Sequence, residues 1–298
     1  MTLQFLLNGL VNGSMIGLGA IGITLTYSIL RFSNFAHGDF MAWGAYAALV
    51  VVGIIGGSTA MAPLSFGWPL LAALVIAMAG TALLALSLDW LLFARLRARG
   101  QSIIVVMASF GASMALRNLL EFIFTSRPAY YSRAIQIAMP VGLGIKITAD
   151  QIALLALTAI LVTGMHLYVQ RSQRGREMRA YSQNPALARV IGIDVDSVVR
   201  ATWIIGASLA CASGVMVGTL VQIRPLMGLD LLLPVFAAAI LGGIGSIPGA
   251  VLGGIIIGLS EAAAVQFIGA EWRAAVAFVI LMVVLLIRPM GLFGVAER

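Results

Sequence analysis

The chain has 298 residues, 61% of them hydrophobic and 10% charged, with a mean hydropathy of +1.05. A soluble domain carries roughly 25% charged residues, so this composition excludes cytosolic or secreted globular enzymes, disordered chains and disulfide scaffolds and leaves a polytopic membrane protein. The net charge of +7 comes from seventeen arginines and Lys146 against eleven acids, and it predicts arginine held on the inner side of a bilayer rather than a nucleic-acid partner.

The first apolar window, Phe5–Ile29, follows no positive segment, so no cleavable signal is expected. Arg-Phe-Ser-Asn-Phe-Ala-His-Gly-Asp, from Arg31 to Asp39, joins it to a second window, Ala36–Ile55. In that turn Asn34, His37, Gly38 and Asp39 are candidates to border a translocation path. The plainer role for the acid is capping of the second helix. The third window, Trp68–Phe93, ends at an arginine cluster, Arg95, Arg97 and Arg99. The fourth, Ser102–Phe124, carries Arg117 and Glu121 four apart on one helical face, which predicts an interfacial ion pair between them. Thr125–Ile147 holds Tyr130, Tyr131, Ile135, Ile137, Ile145 and Ile147 around glycines and Pro140, and reads as a short extended or hairpin segment.

After the fifth window, Ile152–Val169, comes the longest polar loop, Gln170 to Asp196, with Arg171, Arg174, Arg176, Arg179 and Arg189. Within it Asn184-Pro185 starts a short helix, Ala186–Ile191, and Gly192 ends it. Leu187, Val190 and Ile191 give that helix an apolar face, which wants a groove to enter. The sixth window, Val198–Val221, contains Cys211, without a disulfide partner and expected to pack. Met227-Gly-Leu-Asp230 faintly echoes the earlier turn, and counting spans puts the two acids on opposite sides, as an inverted repeat would. With two short matches, chance is the preferred explanation.

The block Leu231–Phe267 is broken by glycines and Pro248 and reads as one tilted span plus a re-entrant piece, or as two short helices. Its Gly242, Gly243 and Gly245 form either a broken helix near the path or a tight turn on the inner side. Glu261, a lone carboxylate within an apolar stretch, should face protein or water rather than lipid. The last window is Ala274–Ile287.

Placing the arginine clusters inside puts Arg31 inside and Thr125–Ile147 outside. The expected fold is an all-α bundle of about eight to nine transmembrane helices with broken helices and one internal coupling helix. Nine is preferred because it leaves Arg288 inside. Glycines four apart, such as Gly13/Gly17, Gly214/Gly218 and Gly254/Gly258, predict close helix contact. His37 and His166 are far apart in sequence and have no metal-ligand spacing. No Gly-Lys-Ser/Thr follows the Gly242–Gly249 run, so a phosphate loop is not expected. No nucleophile-and-base set emerges either, so no catalytic residue, metal or cofactor is assigned to the chain.

Several runs carry a resemblance: Asn8-Gly9-Leu10 with Gly13-Ser14, Asn34-Phe35-Ala36-His37-Gly38-Asp39 with Gly44-Ala45-Tyr46, Gly175-Arg176 through Gln183-Asn184-Pro185, Gly192-Ile193, and Leu241 to Ala250. On these the whole chain, one permease domain over 1–298, resembles the shorter of the two homologous permease subunits of branched-chain amino acid ABC importers. The resemblance implies a multi-pass protein of the bacterial inner membrane that carries branched-chain or other neutral amino acids. It implies a second homologous permease subunit, two ATP-binding subunits that hydrolyse the ATP, an extracytoplasmic solute-binding protein and a lipid bilayer as partners. Gly175, Arg176, Asn184, Pro185, Ala186, Leu187, Ala188 and Gly192 then take the coupling role toward the ATPase. Ala186-Leu187-Ala188 and Gly192 stand where importers have a Glu-Ala-Ala-x-x-x-Gly motif, whose glutamate is missing here. The alternatives are the same importer class carrying urea or short amides, or a self-sufficient secondary transporter, for which Glu261 is the one candidate ion ligand.

Overall fold

A computed structural model describes residues 3–56, 64–98, 100, 102–132, 138–142, 145–288 and 290–294. Arg99, Ile135 and Ile137 lie outside the described residues. A backbone in hydrocarbon must pair its own N–H and C=O groups, so the apolar windows become helices. In chain order these are α1 (Gln4–Leu30), α2 (His37–Ile55) and α3 (Trp68–Leu88), which runs through a π turn at Asp89–Phe93 into α4 (Ala94–Arg97). Then come α5 (Ser102–Phe124), α6 (Ala149–Arg171), α7 (Gln173–Gln183), α8 (Pro185–Val190) and α9 (Val195–Leu220). The bundle closes with α10 (Met227–Gly242), α11 (Ile247–Phe267) and α12 (Arg273–Ile287). The expected hairpin is present as β1 (Met139–Gly142) and β2 (Ile145–Ile147), paired antiparallel between α5 and α6.

Among the described residues eight helices are long and apolar enough to cross a membrane, with α3 and α4 counted as one and α12 counted from residue 270; α10, at 16 residues, is shorter. The protein is therefore an all-α polytopic membrane protein. The most apolar window of α1 is 83% buried, whereas that of the last helix is 6% buried, so α1 is the central post and α12 is peripheral. Glycines let neighbours approach α1 closely. A Cβ at Gly13 would stand 2.7 Å from the Gly254 carbonyl oxygen of α11. On another side of α1, Ser213 Oγ of α9 donates to the Met15 carbonyl at 2.7 Å. Cys211 packs as expected: it is fully buried, and a Cβ on Gly44 would stand 2.6 Å from its Sγ.

Two helices begin inside the bundle instead of at its faces. His37 Nε2 at the start of α2 pairs with the Gly19 carbonyl at 3.0 Å. Gly19 lies eleven residues before the end of α1, about 16 Å at 1.5 Å per residue. Residues 31–36 thus climb back along α1 before α2 starts. In the same way residues 221–226 follow α9 inward, and α10 starts with Gly228 against Gly38. The two turns that echo each other in sequence thus meet in the interior through Gly38 and Gly228, with Asp39 buried and Asp230 paired with Arg224 at the cavity. The reason is that both connecting segments dip into the protein.

The ends of the helices give the order of passes. Gln4 Nε2 donates to the Lys146 carbonyl at 2.8 Å, so α1 starts beside the hairpin. Arg31 donates to the Ser182 carbonyl, so α1 ends beside α7. The Leu292 and Phe293 N–H groups donate to the Leu241 and Gly242 carbonyls at 2.8 and 3.1 Å, so the segment after α12 meets the end of α10. With α10 counted as a crossing, the passes among the described residues number nine, and Arg288 lies on the face of Arg31, Arg95 and Arg97.

Candidate functional site

The arginine-rich face is built from α7 and α8. Ser172 Oγ accepts the Gly175 N–H at 2.9 Å and starts α7. A Cβ on Gly175 would run into the Val169 and Tyr168 carbonyls, so a glycine lets α7 turn sharply off α6. Arg176 and Arg179 reach back to the Arg171 and Gln170 carbonyls at 3.1 and 3.3 Å, where cations are favoured at the end of a helix. The α7 helix turns Gly175, Met178 and Tyr181 inward, three residues apart, a short period within a polar stretch for which no helix is expected from the sequence.

The α8 helix spans Pro185–Val190, one residue earlier at each end than expected. Asn184 Oδ1 accepts the Leu187 N–H at 3.0 Å, and Pro185 occupies the first turn. Gly192 sits at φ +84°, and the Ile193 N–H reaches the Ala188 carbonyl at 3.0 Å. This is a left-handed helix end, which a side chain with a Cβ adopts at a cost. Ala188 is 1% exposed and seats the helix, whereas Leu187, Val190 and Ile191 are 55%, 82% and 64% exposed. The predicted apolar face is thus presented outward by a helix capped at both ends, while Ala186 is exposed beside it.

Asn34, His37, Gly38 and Asp39 are all buried where α2 begins. Asn34 Oδ1 accepts the Ala36 N–H at 3.1 Å. Asp39 does not cap α2: its carboxylate accepts from Ser113 Oγ and stands 3.4 Å from Arg117 Nε. Arg117 in turn donates to Ser113 Oγ at 3.1 Å. The expected Arg117–Glu121 pair is thereby corrected. A buried carboxylate needs a positive partner more than an exposed one does, and Glu121 is exposed. Gly242, Gly243 and Gly245 form the tight turn between α10 and α11, on the arginine-rich face, with Gly243 at φ +95° and Gly245 at φ +93°. Ser246 Oγ accepts the Gly249 N–H at 3.1 Å and starts α11.

A cavity of ≈450 Å³ opens near the hairpin face, between α1, the end of α9, the start of α10, α11 and α12. Of the candidate path residues, Glu261 lines it; Asn34, His37, Gly38, Asp39, Gly242, Gly243 and Gly245 do not. The Glu261 side chain is 3% exposed, and its Oε2 accepts from Arg273 Nε at 2.7 Å. Arg224 and Asp230 form a second pair on the lining at 2.8 Å. Neither arginine stands out in the sequence, because Arg224 precedes an apolar helix, Arg273 begins one, and neither carries a motif. At the same face Tyr130 OH donates to Gln222 Oε1 at 3.2 Å, and Tyr131 OH donates to the Ala45 carbonyl at 2.8 Å. Burial pushes the Tyr131 phenol well above its usual 10.

The family model described as "Branched-chain amino acid transport system / permease component" matches residues 5–285. The chain is 31% identical over 304 residues to the high-affinity branched-chain amino acid transport system permease protein LivH of Escherichia coli, covering 99% of this chain and 96% of that one. It is 33% identical over 305 residues to the corresponding permease protein BraD of Pseudomonas aeruginosa, with the same shares covered. A probable branched-chain amino acid transport permease, LivH of Methanocaldococcus jannaschii, is 26% identical over 306 residues, with 96% and 90% covered. Among solved structures, a chain of PsaBC from Streptococcus pneumoniae in complex with Fab has a TM-score of 0.51 at 14% identity, over 96% of this chain and 92% of that one. That likeness is one of fold alone.

Proposed function

The chain belongs to the family of branched-chain amino acid transport system permease components, and we propose that it forms, with a second homologous permease subunit, the path for branched-chain or other neutral amino acids in an ATP-driven importer of the bacterial inner membrane. Two ATP-binding subunits hydrolyse ATP on the arginine-rich side, and a solute-binding protein delivers the amino acid to the hairpin side. The permease itself performs no chemistry and binds no cofactor.

The match over residues 5–285 carries this reading. The exposed face of Leu187, Val190 and Ile191 supports the coupling part, because an apolar patch on a short capped helix gains by entering a groove on a neighbour. Gly175 and Arg176 fix where α7 leaves the bundle, and Asn184, Pro185, Ala186, Ala188 and Gly192 hold α8 at its tip. A push on α8 reaches the core through Arg31, which ties the end of α1 to the Ser182 carbonyl of α7. From there the joint formed by Asn34, His37, Gly38 and Asp39, and the turn at Gly242, Gly243 and Gly245, let α2 and α10, which begin inside the bundle, shift against α1.

The test is co-purification of the permease with its ATPase and binding protein, followed by reconstitution in proteoliposomes. ATP-dependent uptake of L-leucine that requires both partners is the expected outcome. Uptake of urea or acetamide in place of leucine would move the substrate class, and leucine uptake driven by an ion gradient without any ATPase would overturn the proposal.

A further inference from the structure

The cavity near the hairpin face combines two kinds of lining. One part is charged: Glu261 and Arg273 form one ion pair, Arg224 and Asp230 form another, and Glu271 adds a further carboxylate to the lining. The other is aliphatic and comes from the central helices, with Met15 and Ile16 of α1 at 1% and 2% exposed and Leu231 and Pro234 of α10 buried. The volume of ≈450 Å³ falls in the range of about 300–1,000 Å³ typical of small-ligand sites.

The Glu261 carboxylate is incompletely paired. Oε2 accepts from Arg273 Nε, whereas Oε1 is buried and without a hydrogen-bond partner among the described residues. A buried carboxylate oxygen left without a donor costs the full desolvation of that atom. Arg273 offers Nε to Glu261, and its side chain is 45% exposed, which leaves the rest of the guanidinium fork for a second anion.

We propose that this cavity is a binding site on the permease for the zwitterionic head and aliphatic side chain of an α-amino acid. The ligand ammonium donates to Glu261 Oε1, the ligand carboxylate accepts from Arg273, and the side chain lies against Met15, Ile16 and Leu231. The site rests on the permease reading and deepens it: the permease then checks both charges of the solute instead of passing whatever is delivered. A neutral amide or urea lacks the carboxylate that Arg273 takes, and a fatty acid lacks the ammonium that completes Glu261.

The test uses the assembled permease–ATPase complex in nanodiscs without the binding protein, and follows saturable binding of radiolabelled L-leucine. Wild type binds, and neither 4-methylpentanoate nor isoamylamine at equal concentration displaces the label. Glu261→Gln lowers affinity about 10- to 100-fold, the range for losing one charged hydrogen bond. Leu231→Trp, which puts a bulkier side chain on the aliphatic part of the lining, removes binding, while co-purification of the ATPase verifies that both variants assemble. The proposal is overturned if wild type shows no saturable binding although the full importer takes up leucine, if both variants assemble and bind like wild type, or if either single-charge analogue competes as well as leucine. Failure of the full wild-type importer to take up leucine would instead count against the permease reading, so the two failures are distinguishable.

Discussion

Gly38 and Gly228 stand back to back where α2 and α10 begin. A Cβ on Gly38 would lie 3.0 Å from the Gly228 carbonyl carbon, and one on Gly228 would lie 3.1 Å from the Asp39 nitrogen. The atoms in the way are backbone, so no side chain can swing aside. Gly38→Ala and Gly228→Ala are each expected to destabilise by about 1–3 kcal/mol, the usual cost of overpacking. Gly111→Ala is the control: it lies in α5 with open space around its Cβ, and alanine there is expected to be neutral or stabilising by roughly 0.5–1 kcal/mol. Melting of the detergent-solubilised protein, followed by size-exclusion chromatography, separates the two classes. Equal melting temperatures for all three would show that the helix starts do not meet.

Asp39 and Arg117 form a buried pair between α2 and α5, joined by Ser113. Removing one partner strands the other, which typically costs about 3–5 kcal/mol, whereas replacing both is far cheaper. Asp39→Asn and Arg117→Met should therefore each lower the yield of folded protein, and the double variant should recover part of it. A strictly additive loss in the double variant, measured by thermal melting, would mean that the two side chains are not coupled.

Much of this architecture was legible from residue pattern, and the gaps have a common cause. The capped helix between Asn184 and Gly192 was readable because its signals are local: an acceptor side chain, a proline in the first turn and a glycine at the left-handed end. The hairpin before α6 was readable for the same reason. What escaped was tertiary. Arg117 sits four residues from Glu121, so helical spacing favoured that pair, yet the buried Asp39 on another helix takes it. The start of α2 beside Gly19 depends on how far residues 31–36 climb, and spacing along the chain carries no information about depth. The outer cavity needs five helices to exist, and of its charged lining only Glu261 stood out, as a carboxylate alone in an apolar stretch.

Tyr131 gives a pH prediction. Its phenol is buried beneath the hairpin face and donates to the Ala45 carbonyl at 2.8 Å, and burial raises its pKa well above 10. A group with a raised folded-state pKa contributes stability that is fully present below the unfolded value. That contribution is lost as pH climbs from about 10 through the folded value, because the unfolded chain releases a proton that the folded one keeps. Stability should therefore fall with rising pH above about 10, and Tyr131→Phe should lose less over that interval while starting about 1 kcal/mol lower from the missing hydrogen bond. Melting curves of both proteins from neutral to alkaline pH test this. Parallel pH profiles would show that Tyr131 ionises normally in the folded protein.

The α8 helix is short enough for its caps to decide whether it exists. Six residues from Pro185 to Val190 cannot sustain a helix by propensity alone, so the Asn184 Oδ1 bond to the Leu187 N–H and the left-handed Gly192 carry an unusual share of its stability. Asn184→Ala should cost about 1 kcal/mol locally, whereas Asn184→Asp keeps the acceptor and should cost little. Val190→Glu acts differently: the side chain is 82% exposed, so the permease should fold and insert unchanged while its apolar face is spoiled for a partner. Measured as leucine taken up per ATP hydrolysed in proteoliposomes, Asn184→Ala and Val190→Glu should both fall severalfold and Asn184→Asp should stay near wild type. Loss of transport in Val190→Glu together with loss of ATPase co-purification would place the groove over Val190 itself. Wild-type coupling in both Asn184→Ala and Val190→Glu would remove α8 from the energy path and leave the contact of Arg31 with α7 without a mechanical role.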